Sequence, residues 1–184
     1  YGIILSEKIN NELKDLEMPN ACFSIKIEKE ASFNINGNDK IEFAISPNIG
    51  EESKELIKIA SGGEMSRIML AIKTVLADID EVPILVFDEI DTGVSGEIAD
   101  RMADIMQEMG DSDRQVISIT HLPQIAARGR AHYKVYKQDN ETETNSHIRR
   151  LADEERIEEI AHMLSGATLT DAALNNAKAL LGIA

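Results

Sequence analysis

The sequence predicts an α/β fold in which a mainly parallel sheet is flanked by helices, with additional antiparallel hairpins. Three observations favour this class. Residues 83–128 run strand, helix, strand, helix, the order of a parallel sheet with helical crossovers. The run 83–87 is wholly apolar, as in a strand covered on both faces. Two earlier segments, 22–27 and 41–45, alternate apolar and polar residues as half-buried strands do.

The first 60 residues are predicted to form a helix followed by a hairpin. Apolar residues recur at helical spacing over 3–18, and Pro19 ends the pattern because proline disfavours helix in the residue before it. The alternating segments 22–27 and 41–45 flank a Gly-Asn-Asp sequence at 37–39, which is typical of a turn. We therefore expect an antiparallel hairpin that turns at 37–39.

The rest of the chain continues the alternation of helices and strands and then adds a second hairpin. The expected elements are a helix over 64–77, a strand over 83–87, a helix over 96–109, a buried strand over 115–120, a short helix after Pro123, hairpin strands over 131–136 and 146–151 around a polar loop at 137–145, and helices over 153–164 and 170–181 with a stop at Ser165-Gly166.

The composition is that of a globular protein with a core. The chain has 184 residues, of which 43% are hydrophobic and 28% charged. Acids outnumber Lys and Arg 33 to 19, and the net charge of -14 disfavours a positive surface that would capture nucleic acid. The lone Cys22 excludes an internal disulfide framework, and no apolar run or signal pattern predicts a membrane segment. Because the chain starts at Tyr1 and not at methionine, we expect a piece of a longer protein.

The acids are concentrated in one stretch, and two of them stand in an apolar context. Residues 78–113 carry 12 acids against only Arg101, which accounts for -11 of the net charge of -14. Most such runs are solvated faces. Asp88 and Glu89, however, follow an apolar strand, and the carboxyl end of a parallel strand faces the crevice where α/β folds bind ligands. One carboxylate there can hold Mg²⁺ and the next can polarise an attacking water, unless both only begin a solvated loop; Asp91 adds a third acid.

A second motif, Ser61-Gly62-Gly63-Glu64, opens the helix predicted over 64–77. Ser at the N-cap with Glu three residues later is a capping box, which needs no ligand. The same geometry also suits a phosphate, because two glycines allow close approach and the free amides of the first turn attract an anion. Arg67, one turn later, could add positive charge.

A third motif is the histidine that follows the second strand. His121 ends the sequence Ser-Ile-Thr-His at 118–121. A lone histidine at a strand end is more often structural than catalytic, but an imidazole at this edge could hydrogen-bond a terminal phosphate. His132, His147 and His162 lack this context, and we expect them to be surface or packing residues.

In order and spacing, the three motifs resemble the C-terminal lobe of an ABC-type ATPase head. Residues 61–64 resemble the signature motif, residues 84–89 resemble Walker B, and His121 resembles the switch histidine. The wider stretches 58–67, 87–96 and 120–126 resemble the RecN family of bacterial DNA repair proteins, which are relatives of the SMC proteins. The resemblance covers essentially the whole chain. It implies that residues 1–18 are the returning end of a coiled coil and that 19–184 form one lobe of a split head.

The resemblance also implies ATP and Mg²⁺ as cofactors and assigns roles to residues. Asp88 would bind Mg²⁺, Glu89 would orient or activate the hydrolytic water, and His121 would contact the γ-phosphate. The signature segment, residues 61–64, would complete the ATP site of a second head. The loop that crosses that interface, residues 91–96, would contain Asp91, Gly93 and Ser95. Ser95 stands where SMC relatives usually have aspartate, so that residue's role is not carried over.

The sequence contains no G-x-x-x-x-G-K-[ST] phosphate-binding loop, so this chain alone should bind ATP poorly and hydrolyse it negligibly. The resemblance places that loop in an N-terminal lobe of the same head. The implied partners are that lobe, a second head in a homodimer, and DNA through the full-length protein, in the bacterial cytoplasm at the nucleoid. The implied function is ATPase activity in DNA double-strand break repair and recombination, with ATP binding driving head dimerisation and hydrolysis releasing it.

Two alternatives remain open at the level of sequence. The chain could be the head lobe of another SMC-like chromosome protein. It could also be a non-catalytic interaction module, in which Ser61 and Glu64 only cap a helix and the acids only solubilise. Local bases could touch DNA or be solvated: Arg128, Arg130, Arg149 and Arg150.

Overall fold

The structure is a computed structural model that describes residues 1–59, 61–112, 114–139, 143–166 and 168–183. The chain divides into two compact units, Tyr1–Ile117 and Ser118–Ala184. The elements of the first unit are α1 (Gly2–Asp15), β1 (Cys22–Asn34), β2 (Gly37–Ser46), β3 (Lys54–Glu55), a 3₁₀ helix (Leu56–Lys58), α2 (Gly62–Asp80), β4 (Ile84–Asp88) and α3 (Glu97–Asp111). They are followed by β5 (Gln115–Ile119), α4 (Pro123–Arg128), β6 (Tyr133–Asp139), β7 (Thr144–Arg150), α5 (Asp153–Ser165) and α6 (Asp171–Leu180).

The first helix is confirmed, but it ends at Asp15, before the proline that was expected to end it. Glu17 has a left-handed backbone with φ 58, and the Met18 amide donates to the Leu13 carbonyl at 2.9 Å. This bond turns the chain back over the last helical turn, in the manner of a Schellman motif. The helix therefore ends through its own backbone, and Pro19 lies beyond the stop.

The predicted N-terminal hairpin is confirmed and is longer than expected. Strands β1 and β2 pair antiparallel, with Phe23 opposite Ile45. The turn lies at residues 35–36, where the Asn36 amide donates to Asn34 Oδ1 at 2.8 Å. Gly37 already pairs with Asn34, so the predicted turn at 37–39 is wrong. The side chain of Asn34 offers the backbone a local acceptor, which shifts the turn toward it.

The core of the first unit lies between α1, the base of the hairpin, α2 and α3. Helix α1 packs against α2 and β1, and α2 packs against α3. The largest fully buried apolar side chains are Ile9, Leu13, Leu16, Phe23, Ile45, Ile68, Leu70 and Met102. The helices expected over 64–77 and 96–109 are confirmed as α2 and α3, each somewhat longer than predicted.

Strands β4 and β5 are neighbours in a two-stranded sheet within the described residues. The Gln115 amide donates to the Pro83 carbonyl at 2.9 Å, which places the starts of the two strands side by side, as in a parallel pair joined through α3. Together with the antiparallel hairpins this is the mixed α/β fold that was predicted, although the parallel part of the described chain is limited to β4 and β5.

One face of β4 is open, which corrects the expectation of a strand covered on both sides. Leu85 and Phe87 are buried, whereas Ile84 is 52% and Val86 60% exposed. The strand expected to be buried at 115–120 is likewise open, since Ile117 is 43% exposed. Within the described residues no second layer covers this face, although its side chains are as apolar as those of a buried strand.

The second unit contains the second predicted hairpin, formed by β6 and β7, and the three predicted helices α4, α5 and α6. Residues 140–142 of the polar loop lie outside the described residues. The helices enclose a small core of Ala127, Ile160, Ala161, Ala173 and Ala177. Gly166 has φ 74 and follows the last residue of α5, as the predicted Ser165-Gly166 stop requires.

Candidate functional site

The signature segment, residues 61–64, forms the start of α2. Ser61 has an extended backbone, and its Oγ accepts a hydrogen bond from the Glu64 amide at 3.4 Å, so Ser61 is the N-cap that the sequence predicted. Gly62 is the first helical residue, and Ser61 and Gly62 are both exposed. The first amides of a helix lack internal carbonyl partners and carry the positive end of the helix dipole, so this exposed helix start suits an anion.

The start of α2 packs closely against the loop of residues 91–96. A Cβ on Gly63 would lie 2.5 Å from the Gly93 carbonyl oxygen, closer than any side chain tolerates. Gly93 has φ 76, and a Cβ there would lie 2.9 Å from the Gly63 nitrogen. The Ser66 hydroxyl donates to the Thr92 carbonyl at 3.1 Å. Glycine is therefore required at 63 and 93 for backbone contact between the signature segment and this loop. Sequence reasoning missed the contact, although the glycines were its signal.

Gly62 differs from its neighbour. A Cβ on Gly62 would meet the Thr92 carbonyl oxygen only at 3.9 Å, an ordinary van der Waals distance. The packing of this chain therefore does not explain why position 62 lacks a side chain. Close approach of an external group, such as the phosphate considered from the sequence, would explain why position 62 lacks a side chain.

Asp88 and Glu89 lie at the carboxyl end of β4 and are both exposed. Glu89 has φ 48, a left-handed conformation that costs a residue other than glycine about 1–2 kcal/mol. Its carbonyl accepts hydrogen bonds from the Thr92 amide at 3.2 Å and the Thr92 hydroxyl at 2.9 Å, which hold the conformation. Strained backbone of this kind is often found at functional sites.

Asp91 is placed differently from the two acids before it. Its side chain is fully buried, so it adds no carboxylate to the exposed pair. The Val94 amide donates to the Asp91 carbonyl at 3.1 Å and closes the loop. The surface of the loop is instead formed by Thr92, Gly93 and Ser95, all exposed.

The residues present suit a magnesium ion that is shared with phosphate, and not a site made by protein alone. Among the described residues, no group of three or more His, Cys, Asp or Glu side chains could enclose a metal ion. Mg²⁺ in phosphate-binding sites is usually held by one or two carboxylates, with waters and phosphate oxygens completing an octahedron. The exposed carboxylate of Asp88, at a strand end, fits that chemistry.

The sequence suggested that Arg67 adds positive charge for an anion, but its guanidinium donates to backbone carbonyls instead. Its Nη1 donates to the carbonyls of Leu16 at 3.2 Å and Glu17 at 3.1 Å, and its Nε donates to the Gly63 carbonyl at 3.3 Å. The guanidinium is thus engaged with the end of α1. A partner made of backbone carbonyls leaves no mark in the sequence, so this role could not be predicted.

His121 follows β5 at the beginning of the second unit and is exposed. The Thr120 hydroxyl accepts from the Leu122 amide at 2.9 Å, which turns the chain from β5 into α4. The other histidines have local contacts. The His147 ring stacks on Tyr136 with centroids 5.4 Å apart, and His162 Nδ1 lies 3.1 Å from the Gly166 carbonyl.

His132 is partly buried, and burial is the main cause that lowers its pKa, with a further contribution from the Arg156 charge.

Of the four bases considered for DNA contact, Arg149 forms an ion pair with Glu155 at 2.6 Å, and Arg150 is exposed. Among the described residues, none of the helices is both long and apolar enough to span a bilayer.

Comparison with known proteins gives similar sequences over almost the whole chain, whereas no protein-family model matches. The DNA repair protein RecN of Rickettsia prowazekii is 46% identical over 177 residues, which is 96% of this chain. RecN of Halalkalibacterium halodurans is 41% identical over 184 residues, 98% of this chain. In both cases the chain spans about a third of the relative's length, 32%.

Solved structures agree on the fold. The SMC head domain of Pyrococcus yayanosii, solved with a coiled coil and joint, has a TM-score of 0.68 and 20% identity, over 88% of this chain and 29% of its own. A structure from work on ATP-driven dimerization and DNA-stimulated activation of SMC ATPases has a TM-score of 0.63 and 20% identity, over 89% of this chain and 93% of its own. Sequence similarity identifies this chain as a C-terminal lobe of the RecN type, and its fold is that of SMC head domains.

Proposed function

We propose that this chain is the C-terminal half of an ATP-hydrolysing head that acts in DNA double-strand break repair and recombination. ATP binding drives two heads to dimerise, and hydrolysis releases them. The observation that carries the proposal is the backbone contact between Gly63 and Gly93, which joins the signature segment to the loop that follows the Asp88-Glu89 pair. Similarity to RecN sequences supports the DNA repair context.

The signature segment would bind the γ-phosphate of a nucleotide held by the second head. Gly62 supports this role because it is exposed and its missing side chain is not required by packing within the chain. The amides at the start of α2 can donate to phosphate oxygens, and the helix dipole favours their negative charge. ATP would then lie between the two heads and hold them together.

The Asp88-Glu89 pair would serve the nucleotide of its own head. Asp88 would hold Mg²⁺, which when bound neutralises negative charge on the phosphates. Glu89 would accept a hydrogen bond from the hydrolytic water and so orient or activate it. The strained backbone of Glu89, held by Thr92, would fix the direction of this side chain. His121 would donate a hydrogen bond to the γ-phosphate.

The open face of β4 would be covered by the N-terminal lobe of the same head. Ile84 and Val86 expose apolar area that normally lies against another layer of protein, and the chain has no phosphate-binding loop of its own. The chain also spans only a third of its relatives, so a further lobe is available in such proteins. On the same proposal, residues 1–18 are the returning end of a coiled coil and 19–184 the lobe, in a protein of the bacterial cytoplasm at the nucleoid.

DNA would be contacted mainly by other parts of the full-length protein. The first unit carries 24 acids against 11 Lys or Arg, so its surface repels a phosphate backbone. The second unit is nearly neutral, with 9 acids against 8 bases. This balance limits the positions at which the lobe itself can touch DNA.

The test of the catalytic assignment is ATP turnover by the full-length parent with Glu89→Gln. We expect turnover to fall by about 10²-fold or more, since a general base typically contributes that much. Glu81→Gln is the matched control, because Glu81 is also an exposed glutamate with a left-handed backbone, φ 50, at the far end of α2. Wild-type turnover in a folded Glu89→Gln protein would disprove the role of Glu89.

The test of the signature segment is ATP-dependent dimerisation of the parent with Ser61→Arg. A long side chain at this exposed helix start should block the second head and abolish dimerisation. Thr170→Arg is the control, since Thr170 caps α6 in the same way, accepting from the Ala173 amide at 3.2 Å. Unchanged dimerisation with Ser61→Arg would leave Ser61 a simple helix cap and favour the interaction module.

A further inference from the structure

The guanidinium of Arg67 joins the first turns of α2 to the C-terminal end of α1. One nitrogen, Nη1, donates to the Leu16 and Glu17 carbonyls at 3.2 and 3.1 Å, while Nε donates to the Gly63 carbonyl at 3.3 Å. The last carbonyls of a helix lack internal partners and carry the negative end of its dipole, so a cation binds there favourably. One side chain therefore connects the signature segment to the end of α1.

A second arginine holds the same helix end from α3. Arg101 Nε donates to the Asp15 carbonyl at 3.1 Å, and Arg101 Nη2 lies 3.6 Å from Asp15 Oδ1. Helix α3 begins at Glu97, directly after the loop of residues 91–96. The end of α1 is thus bound to both helices that begin at the proposed dimer interface, one after the signature segment and one after the loop.

We propose that Arg67 is a positioning residue that transmits the position of α1 to the signature segment, while Arg101 transmits it to the 91–96 loop. The inference rests on the proposed function, in which the signature segment meets a nucleotide on a second head. A shift of α1 then changes how Gly62 and Gly63 present their amides. By thermodynamic linkage, dimerisation around ATP in turn favours one position of α1, with the same coupling free energy.

The α1 side of this contact can be altered without touching α2. The acceptors are backbone atoms and cannot be substituted directly. Their position can be changed by a substitution at Glu17, which is exposed and has φ 58. Valine resists this left-handed conformation, whereas glycine adopts it without strain. Glu17→Val therefore displaces the Leu16 and Glu17 carbonyls, and Glu17→Gly is the matched control that leaves them in place.

The experiment uses the full-length parent and a double-mutant cycle of Arg67→Gln and Glu17→Val. Nucleotide affinity of the monomer and ATP-dependent dimerisation are both measured. We expect Arg67→Gln to weaken dimerisation about tenfold, within the usual range of coupling between sites, with monomer affinity changed less than about twofold. Dimerisation of the double variant should be as weak as that of Arg67→Gln alone, because both substitutions remove the same contact. Arg114→Gln, which breaks an ion pair with Asp78 at 2.7 Å, should leave dimerisation unchanged.

Two results of the double-mutant cycle would overturn the inference. Unchanged dimerisation with Arg67→Gln would remove any role for Arg67 in positioning. Fully additive effects of the two substitutions would mean that Arg67 acts independently of α1, for example directly on phosphate.

Hydrogen exchange separates this inference from the proposed function. The Met18 amide, which donates to the Leu13 carbonyl at 2.9 Å, reports the order of the end of α1. Arg67→Gln should raise its exchange rate in the parent without any nucleotide. If the unsubstituted parent fails to dimerise with ATP, the proposed function is wrong, and exchange at Met18 still tests the contact; an unchanged rate overturns it.

Discussion

The start of α2 and the end of β4 border the same loop, but this chain builds them to different degrees. At the start of α2, Gly63 meets Gly93 backbone to backbone, and Ser66 bonds the Thr92 carbonyl. At the end of β4, by contrast, Val86 is 60% exposed, and Asp88 and Glu89 project from a strand with one open face. The signature side is closed by this chain's own packing, whereas the Asp88-Glu89 side stays open.

The difference matches what each side has to do in the proposed function. A surface that completes a neighbour's site must hold its shape before the neighbour arrives, so its contacts lie within one chain. A site for the chain's own nucleotide needs the phosphate-binding loop of another lobe, so its strand keeps an apolar face for that lobe. Substitutions in the two regions should therefore have different effects on stability.

The largest effect is expected on the two faces of β4. Phe87→Ala should lower the free energy of unfolding of the 184-residue chain by about 3–5 kcal/mol, because Phe87 is 4% exposed and its loss leaves a cavity. Val86→Ala should cost less than about 1 kcal/mol, since most of that side chain already lies in water. Denaturant unfolding of both variants gives the comparison.

In the full-length parent, Phe87→Ala and Val86→Ala should differ less in the free energy of unfolding that they cost, because the proposed N-terminal lobe would bury Val86. Equal costs of Phe87→Ala and Val86→Ala in the 184-residue chain itself would show that the face of β4 is not open. A gap as large in the parent as in the chain would contradict coverage of this face by another lobe.

The next effect is expected at the two signature glycines. Gly63→Ala should destabilise the chain by about 1–3 kcal/mol, because its Cβ would lie 2.5 Å from the Gly93 carbonyl and the loop must shift. Gly62→Ala is the matched control: its nearest contact is 3.9 Å away, so stability should stay within about 0.5 kcal/mol. Thermal unfolding measures both.

The same pair separates packing from function. If phosphate approaches the backbone at Gly62, Gly62→Ala should weaken ATP-dependent dimerisation of the parent while the fold stays intact. A stable chain with Gly63→Ala would show that the loop adapts easily, and the signature side would then be less closed than its contacts indicate.

The sequence predicts what depends on local pattern and misses what depends on distant backbone. Helical spacing was sufficient for α2 and α3, and motif spacing was sufficient to choose Ser61, Asp88 and His121 as candidates. The apolar run of β4 was interpreted as burial on both faces, because the pattern cannot tell burial within the chain from burial against another lobe. The partners of Arg67 at the end of α1 could not be predicted, since they are carbonyls about 50 residues away.

The turn of the first hairpin and the end of α1 show the same limit at short range. The Gly-Asn-Asp sequence at 37–39 suggested a turn, but the Asn34 side chain bonds the Asn36 amide and moves the turn earlier. Glu17 takes a left-handed backbone that no glycine announced. In both places a hydrogen bond to the backbone outweighs residue preference.

The smallest effect is expected behind the closed region, where packing of α1 brings acids together. Burial raises the pKa of Glu12 above its ordinary value of 4.5, and the charges of Asp15, Asp78 and Glu108 raise it further, against the opposing charge of Arg101. When folding raises the pKa of an acid, the protein loses stability as the pH rises from the unfolded pKa through the folded pKa. Ionised Glu12 therefore opposes folding at pH 7, although partial exposure keeps the penalty small.

Glu12→Gln should consequently raise the Tm of the chain at pH 7, and the gain should vanish as the pH falls below 4.5, where the native carboxyl is also neutral. Glu7→Gln, on an exposed position of the same helix, is the control for helix propensity, which differs little between Glu and Gln. A gain that persists in acid would come from packing of the amide. A gain that disappears would show that the closed region forms against a charge penalty, which the apolar contacts of α1 with α2 outweigh.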